Sequence, residues 1–205
     1  IVYNGTFVHN GYLPRIGYME GRELLDDSTR RKHDLAPKAR MADVNDEAAR
    51  RNTYICSDAD WITFEATVST SPDQIAIAPG SLVREWTDGG RRYFHYKSDG
   101  PVLNFFSVLS ARYQVRRDTW KDVDIEIYYH PGHEYNLDTM VKAVKRSLDY
   151  FTANFSPYQH RQVRIVEFPR YQRFAQSFPN TIPYSEGIGF IARVDPDDEK
   201  DIDYP

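Results

Sequence analysis

The sequence predicts an α+β fold, with an antiparallel β-sandwich-like domain over residues 1–130 and a small mixed α/β unit over 131–205. Two observations lead to this prediction. Between residues 61 and 129, apolar and polar residues alternate in short runs separated by turn residues, as in antiparallel sandwiches. At Asn136 the spacing of apolar residues changes to three and four, which is the period of an amphipathic helix. Pro131 and Gly132 separate the two patterns.

The first 60 residues are charged and show no clear period. A short helix is predicted at 43–51, where Asp43 or Asn45 suits the N-cap position. Pro14 and Pro37 prevent a long helix. We interpret the rest of this stretch as a long loop packed on a neighbouring element, and loops of this length usually serve a function.

The β-rich stretch begins at Trp61 and consists of short strands. Asp88-Gly89-Gly90 predicts the tight turn of a β-hairpin. Residues 102–115 are apolar enough for one long or two short strands. The predicted strands are, in order, 61–69, 74–78, 82–86, 92–96, 102–115 and 124–129.

The clearest helix is predicted at 136–154, with Asn136 or Asp138 at its N-terminus. Its apolar face consists of Leu137, Met140, Val141, Val144, Leu148 and Phe151. We expect this face to pack on a sheet that includes a strand at 163–168. Beyond it the sequence predicts a turn-rich segment at 169–183, an edge strand at about 187–194 and a loose acidic tail at 195–201.

The composition excludes several classes of protein. The net charge of −4 argues against a nucleic-acid partner, which usually requires a basic excess. An aromatic content of 14% argues against a disordered chain. No apolar run approaches the roughly 18 residues of a membrane span. The single Cys56 excludes an internal disulfide, and we interpret it as a packed thiol rather than a nucleophile.

The motif His130-Pro-Gly-His133-Glu134 raises the question of a metal site. A helical His-Glu-x-x-His site needs its second histidine four residues after the first, and position 137 is leucine. Pro131 and Gly132 also favour a turn over a helix. We therefore interpret this segment as an exposed loop, with metal binding as the alternative.

Glu186 is the candidate binding residue. It follows an apolar run and precedes Gly187 and Gly189, which allow backbone and carboxylate to approach a ligand together. A carboxylate in this position could hold a ligand ammonium by charge-assisted hydrogen bonds. The alternative is a glutamate in an exposed turn with no binding role.

The motifs at 128–136 (Tyr-Tyr-His-Pro-Gly-His-Glu-Tyr-Asn), 167–171 (Glu-Phe-Pro-Arg-Tyr) and 174–186, which ends in Pro-Tyr-Ser-Glu, resemble those of a known family. They are similar to the start of the catalytic domain of aminopeptidase N-like zinc metallopeptidases. The resemblance is greatest to a divergent bacterial branch in which the peptidase-like region is fused to ABC-type permease segments. Residues 13–18 and 74–80 resemble the N-terminal β-domain of the same branch. Most of the chain is covered.

The resemblance implies a thermolysin-like catalytic domain that starts near residue 131, and a role for Glu186. In the family, the glutamate of a Gly-x-Met-Glu-Asn segment binds the free α-amine of the peptide substrate. Residues 183–187 occupy this position, and only Glu186 matches the pattern. The family's zinc-binding His-Glu-x-x-His motif is absent from the 205 residues.

The resemblance therefore implies that the chain is a fragment of a longer protein, the parent, and that zinc belongs to the parent. We expect the chain itself to contain no cofactor or metal ligand, to hold no zinc tightly and to cleave no aminoacyl anilide. The parent would hydrolyse N-terminal residues of peptides, and it would be associated with a bacterial inner membrane. The alternative function is a non-catalytic β-rich scaffold beside a membrane transporter. We also expect a soluble fragment that self-associates through apolar surface near 182–191.

Overall fold

The computed structural model describes residues 5–14, 23–38, 41–50 and 61–193. The helices are α1 (Asp27–Lys32), α2 (Glu47–Arg50) and α3 (Leu137–Asn154). The strands are β1 (Gly5–His9), β2 (Trp61–Ile62), β3 (Glu65–Thr70), β4 (Ile75–Ile77), β5 (Ser81–Asp88), β6 (Arg91–Lys97), β7 (Val102–Leu103), β8 (Ser107–Ala111), β9 (Gln114–Trp120), β10 (Val123–Tyr129), β11 (Gln162–Phe168) and β12 (Thr181–Ser185). Cys56 and the acidic tail lie outside the described residues.

The first half of the described chain forms three antiparallel sheets, and the fold class is α+β as the sequence predicts. Strands β1, β8 and β4 form one sheet, β3, β6 and β5 a second, and β2 and β7 a two-stranded ribbon. The hairpin predicted at Asp88-Gly89-Gly90 is confirmed. Gly89 and Gly90 both have positive φ, at 52° and 73°, as the two central residues of a type I′ hairpin turn require.

Strand β1 corrects the expectation that residues 1–60 are irregular. Gly5–His9 pairs antiparallel with β8, from Gly5 opposite Ala111 to His9 opposite Ser107. All five residues are half-buried, so no alternation of apolar and polar side chains marks the strand in the sequence. Its partner lies about a hundred residues away, and local pattern carries no information about such a pairing.

The fourth sheet of the described residues is mixed and has the order β12-β11-β10-β9. Strand β9 pairs antiparallel with β10, whereas β10 with β11 and β11 with β12 run parallel. Strand β9 has a polar sequence, as edge strands often do, and the pattern of hydrophobic residues therefore did not predict most of it. This sheet extends across residue 130. The domain boundary there stays a prediction.

Helix α3 connects β10 to β11 and lies on the mixed sheet, as the apolar spacing predicts. Met140 and Val141 pack with Ile127 of β10 and Ile165 of β11, and Leu148 packs with Val163 of β11. Val144 contacts both clusters. The prediction for Phe151 was wrong. Its side chain is 56% exposed and belongs to neither cluster that α3 forms with the sheet, and its ring packs against those of Tyr150 and Phe155.

The edge strand predicted at 187–194 also needs correction. The strand is β12, six residues earlier, and residues Glu186–Phe190 form a single π-helical turn. Gly189 lies against Tyr184 and Met140, and a Cβ there would approach each side chain to within about 3.2 Å. Gly187 and Gly189 therefore belong to a closely packed turn and not to a strand.

An apolar groove of about 620 Å³ runs between α3 and β12, with Met140, Leu148, Ile182 and Tyr184 among its lining residues. It overlaps the start of the predicted apolar surface, but Phe190 is fully buried. Self-association stays a prediction. Among the described residues, no helix combines the length and the apolar character needed to cross a membrane.

The packing of α3 leads to a first testable prediction. Replacing Leu148 with alanine should lower the free energy of unfolding by about 2–3 kcal/mol, because the buried side chain leaves a cavity at the rim of the groove. Lys142→Ala, on the exposed face of the same helix, is the control. Urea denaturation followed by circular dichroism measures both. Equal stability of the two variants would contradict the packing described here.

Candidate functional site

Three parallel strands of the mixed sheet end at the same edge, and the candidate site lies there. Strand β10 leads into the loop that carries His130 and His133, β11 carries Glu167 next to its last residue, and β12 leads into Glu186. Parallel pairing of β10, β11 and β12 fixes this arrangement. In open sheets with parallel strands, ligands bind in the crevice outside the carboxyl ends of the strands.

Glu167 is the most unusual residue of the site, because its carboxylate is completely buried. One oxygen, Oε2, accepts the backbone N–H of His130 at 2.6 Å. The other, Oε1, lies 2.5 Å from Nδ1 of His133. Burial raises the pKa of Glu167 to about 7, against the opposing effect of these hydrogen bonds. The carboxylate is thus held rigidly in an environment that disfavours its charge.

The exposed loop that the sequence predicts is present at Pro131, Gly132 and Glu134, but the side chains of its two histidines are not exposed. The turn itself is present, with the N–H of His133 donating to the carbonyl of His130 and Gly132 at φ 93°. His130, however, is only 4% exposed and stacks on Tyr113, with ring centroids 5.3 Å apart. Burial, followed by the nearby His133, lowers the pKa of His130 to about 4, so this imidazole is neutral. His133 is half-buried through its contact with Glu167.

Glu186 is half-buried at the start of the π-helical turn. Its Oε1 accepts the backbone N–H of Arg170 at 3.0 Å. Among the described residues, it forms no ion pair with Arg170, Arg173 or any other basic side chain. The geometry required for ligand binding, an accessible carboxylate that is not held by an arginine, is therefore present. The binding role itself stays a prediction.

Local contacts hold the π-helical turn against the histidine loop. The amide of Asn136 donates to the carbonyls of Gly189 and Ala192, at 2.5 and 2.8 Å. The hydroxyl of Ser185 donates to the carbonyl of Gln172 and so fixes the end of β12. Glu186 and His133 are consequently positioned by elements that are tied to each other.

Together, His133, Glu167 and Glu186 form a compact cluster in which one ligand atom from each lies within 4.8 Å of the others. Apart from His133, no basic side chain of the described residues pairs with either carboxylate. The cluster therefore carries a net negative charge whenever both carboxylates are ionised. Such an arrangement can bind a cation, either an ammonium group or a metal ion.

Sequence reasoning identified Glu186 but assigned no role to Glu167 or to the side chain of His133. One signal was available. Glu167 is an acid near the end of the otherwise apolar strand predicted at 163–168, and a charged residue is rarely buried unless it is paired or functional. Its partner His133 is 34 residues away, and only the pairing of β10 with β11 brings them together.

The comparisons with known proteins give a likeness of fold only. No family model matches the chain, and no curated protein matches it. Two solved structures of the M1 zinc metallopeptidase from Deinococcus radiodurans are similar, each with a TM-score of 0.55. One is a mutant bound to the substrate Tyr-Ser-Ala, at 15% identity over 62% of this chain and 30% of that one. The other is 16% identical over 63% and 32% of the two chains.

At this level of identity the likeness concerns the fold alone. The chain spans about a third of the length of the solved structures that it matches. Over the matched 62–63% of its residues, the fold of the chain is similar to part of the fold of this M1 zinc metallopeptidase.

Proposed function

We propose that this chain belongs to a zinc aminopeptidase-like protein and that Glu186 binds the amino terminus of its peptide substrates. The observation that carries the proposal is the position of the Glu186 carboxylate. It lies at the carboxyl ends of parallel strands, half-buried beside a second carboxylate and without a basic partner among the described residues.

The chemistry of the site suits an ammonium ligand. Oε1 of Glu186 accepts the N–H of Arg170, which orients the carboxylate. The second oxygen, Oε2, has no intramolecular hydrogen bond among the described residues and is available to an N–H of the ligand. A charge-assisted hydrogen bond of this kind contributes about 1.5–3 kcal/mol. The proposal is supported by the fold, which is shared with a metallopeptidase solved with a bound peptide.

The zinc ion implied by the resemblance would belong to the parent. Its family ligands form a His-Glu-x-x-His motif, and the 205 residues contain none, so the residues present do not fit that metal site. Within this proposal the chain alone does not hydrolyse peptides. The divergent bacterial branch and its permease segments, with an inner-membrane location for the parent, are part of the proposal and rest on the resemblance alone.

Exchange of Glu186 for glutamine in the parent tests the proposal. The substitution removes the charge but keeps the shape and an oxygen for the N–H of Arg170. Capture of peptides with a free amine, measured as kcat/KM, should fall about 10–100-fold, since about 1.4 kcal/mol corresponds to a factor of ten. Peptides with an acetylated amine should be affected much less.

The control is Glu134→Gln, which removes a charge from an exposed side chain in the same histidine loop. It should leave both classes of peptide unaffected. Equal losses for free and acetylated peptides in Glu186→Gln would refute the amine-binding role. A parent that turns over neither class would favour the non-catalytic scaffold instead.

A further inference from the structure

We propose that His133, Glu167 and Glu186 form a binding site for a divalent transition-metal ion, and that Zn²⁺ fits this set of ligands. The three side chains come from three different segments: the loop after β10, strand β11 and the turn after β12. One ligand atom from each lies within 4.8 Å of the other two. An imidazole and two carboxylates are a set of protein ligands that zinc accepts.

The distances are close to those that a metal requires. Zinc binds nitrogen and oxygen at 2.0–2.2 Å, which places tetrahedral ligand atoms roughly 3.4 Å apart. In the structure, Nδ1 of His133 and Oε1 of Glu167 are 2.5 Å apart and hydrogen-bonded, and a metal ion would replace this hydrogen bond. The side chains of His133 and Glu186, both half-buried, need to shift by roughly 1 Å. Glu167 stays fixed by the N–H of His130.

His130 provides a second, independent observation. Its side chain is 4% exposed, and its Nε2 has no hydrogen-bond partner among the described residues. A buried imidazole nitrogen without a partner needs an explanation, because burial of a polar atom is unfavourable unless it is bonded. The ring centroid of His130 lies 6.4 Å from that of His133, so this unpaired nitrogen belongs to the surroundings of the cluster.

The donor set also predicts which ions bind. Imidazole nitrogen favours zinc, nickel and copper, whereas magnesium and calcium prefer oxygen ligands alone. The sequence argued against zinc in this chain because no third ligand is found near His130 and His133 along the sequence. The fold supplies two such ligands, Glu167 and Glu186, and this removes the objection.

The metal site does not depend on the proposed function, although it shares Glu186 with the amine site. Because one carboxylate cannot fully serve both ligands, a bound metal ion should compete with the amino terminus of a peptide. The two proposals are separable through His133, which is a ligand only in the metal site. A His133 variant that loses zinc binding but still captures the amine would show that metal binding and amine binding are separate properties of the site.

Isothermal titration of the chain with zinc chloride, together with elemental analysis after dialysis, tests the site. We expect one Zn²⁺ per chain, not displaced by a hundredfold excess of Mg²⁺. In His133→Asn, the amide nitrogen can still donate to Glu167 but the metal ligand is lost. Zinc affinity should then fall by at least about 10–100-fold, the loss seen when even an outer-shell partner of a metal is removed.

The exposed His33 provides the matched control, and His33→Asn should bind zinc like the unaltered chain. Anomalous scattering from a zinc-soaked crystal would locate the ion independently of any variant. Failure to retain stoichiometric zinc would overturn the proposal. Equal affinities in His133→Asn and the unaltered chain, or an ion located elsewhere, would overturn it too.

Discussion

Replacing Phe168 with alanine should lower the free energy of unfolding by about 3–5 kcal/mol, the usual cost of removing a fully buried phenylalanine. The side chain is 1% exposed. Its ring stacks on Phe7 of β1, with centroids 5.4 Å apart, and also packs against Phe174 and Tyr171. Since Phe7 belongs to an antiparallel sheet and Phe168 to the mixed sheet, the variant loses contacts that join the two.

Urea denaturation measures this effect, and Phe155→Ala is the matched control. Phe155 is 73% exposed at the end of α3, where its ring packs against those of Tyr150 and Phe151. Its loss should cost less than about 1 kcal/mol. A Phe168→Ala variant as stable as Phe155→Ala would show that the two sheets are not joined as described.

The second large effect is expected for Arg164→Ala, which should destabilise the chain by about 3–4 kcal/mol. Arg164 is 1% exposed on β11, and its guanidinium lies over the ring of Tyr96. Its Nη2 donates to the carbonyls of Ala78 and Gly80 and to the side chain of Asn180, at 2.8–3.1 Å. Alanine leaves a cavity and removes the donor from all three buried acceptors.

Arg161→Ala, an exposed arginine just before the same strand, serves as the control and should change stability by less than about 0.5 kcal/mol. Arg164→Lys should be intermediate, because it keeps the charge but not the fork of donors. Melting curves of the three variants give the order. An Arg164→Ala variant as stable as the Arg161 control would contradict the role described for this side chain.

The sequence predicted an element correctly where the element has a characteristic local pattern of residues. Helix α3 was predicted to within one residue at its start, because its apolar positions repeat every three to four residues and face one sheet. The hairpin between β5 and β6 was likewise evident from its two glycines. The fold class followed from these two kinds of element.

Elements and site residues that depend on pairing between distant strands could not be predicted from the sequence. Strand β1 forms by pairing with the distant β8, and β9 has a mostly polar sequence. Neither strand can therefore be predicted from the spacing of apolar residues. The site shows the same limit. Glu186 stood out through the glycines that follow it, whereas Glu167 and His133 meet only because β10 and β11 pair in parallel.

The most direct test of amine binding at Glu186 is a titration of the chain itself, followed by the ¹³C chemical shift of the Glu186 carboxyl carbon. A short peptide with a free amino terminus and the same peptide with an acetylated terminus are the two ligands. We predict a saturable shift of the Glu186 resonance with the free amine, absent with the acetylated peptide. Identical behaviour with both peptides would contradict the account.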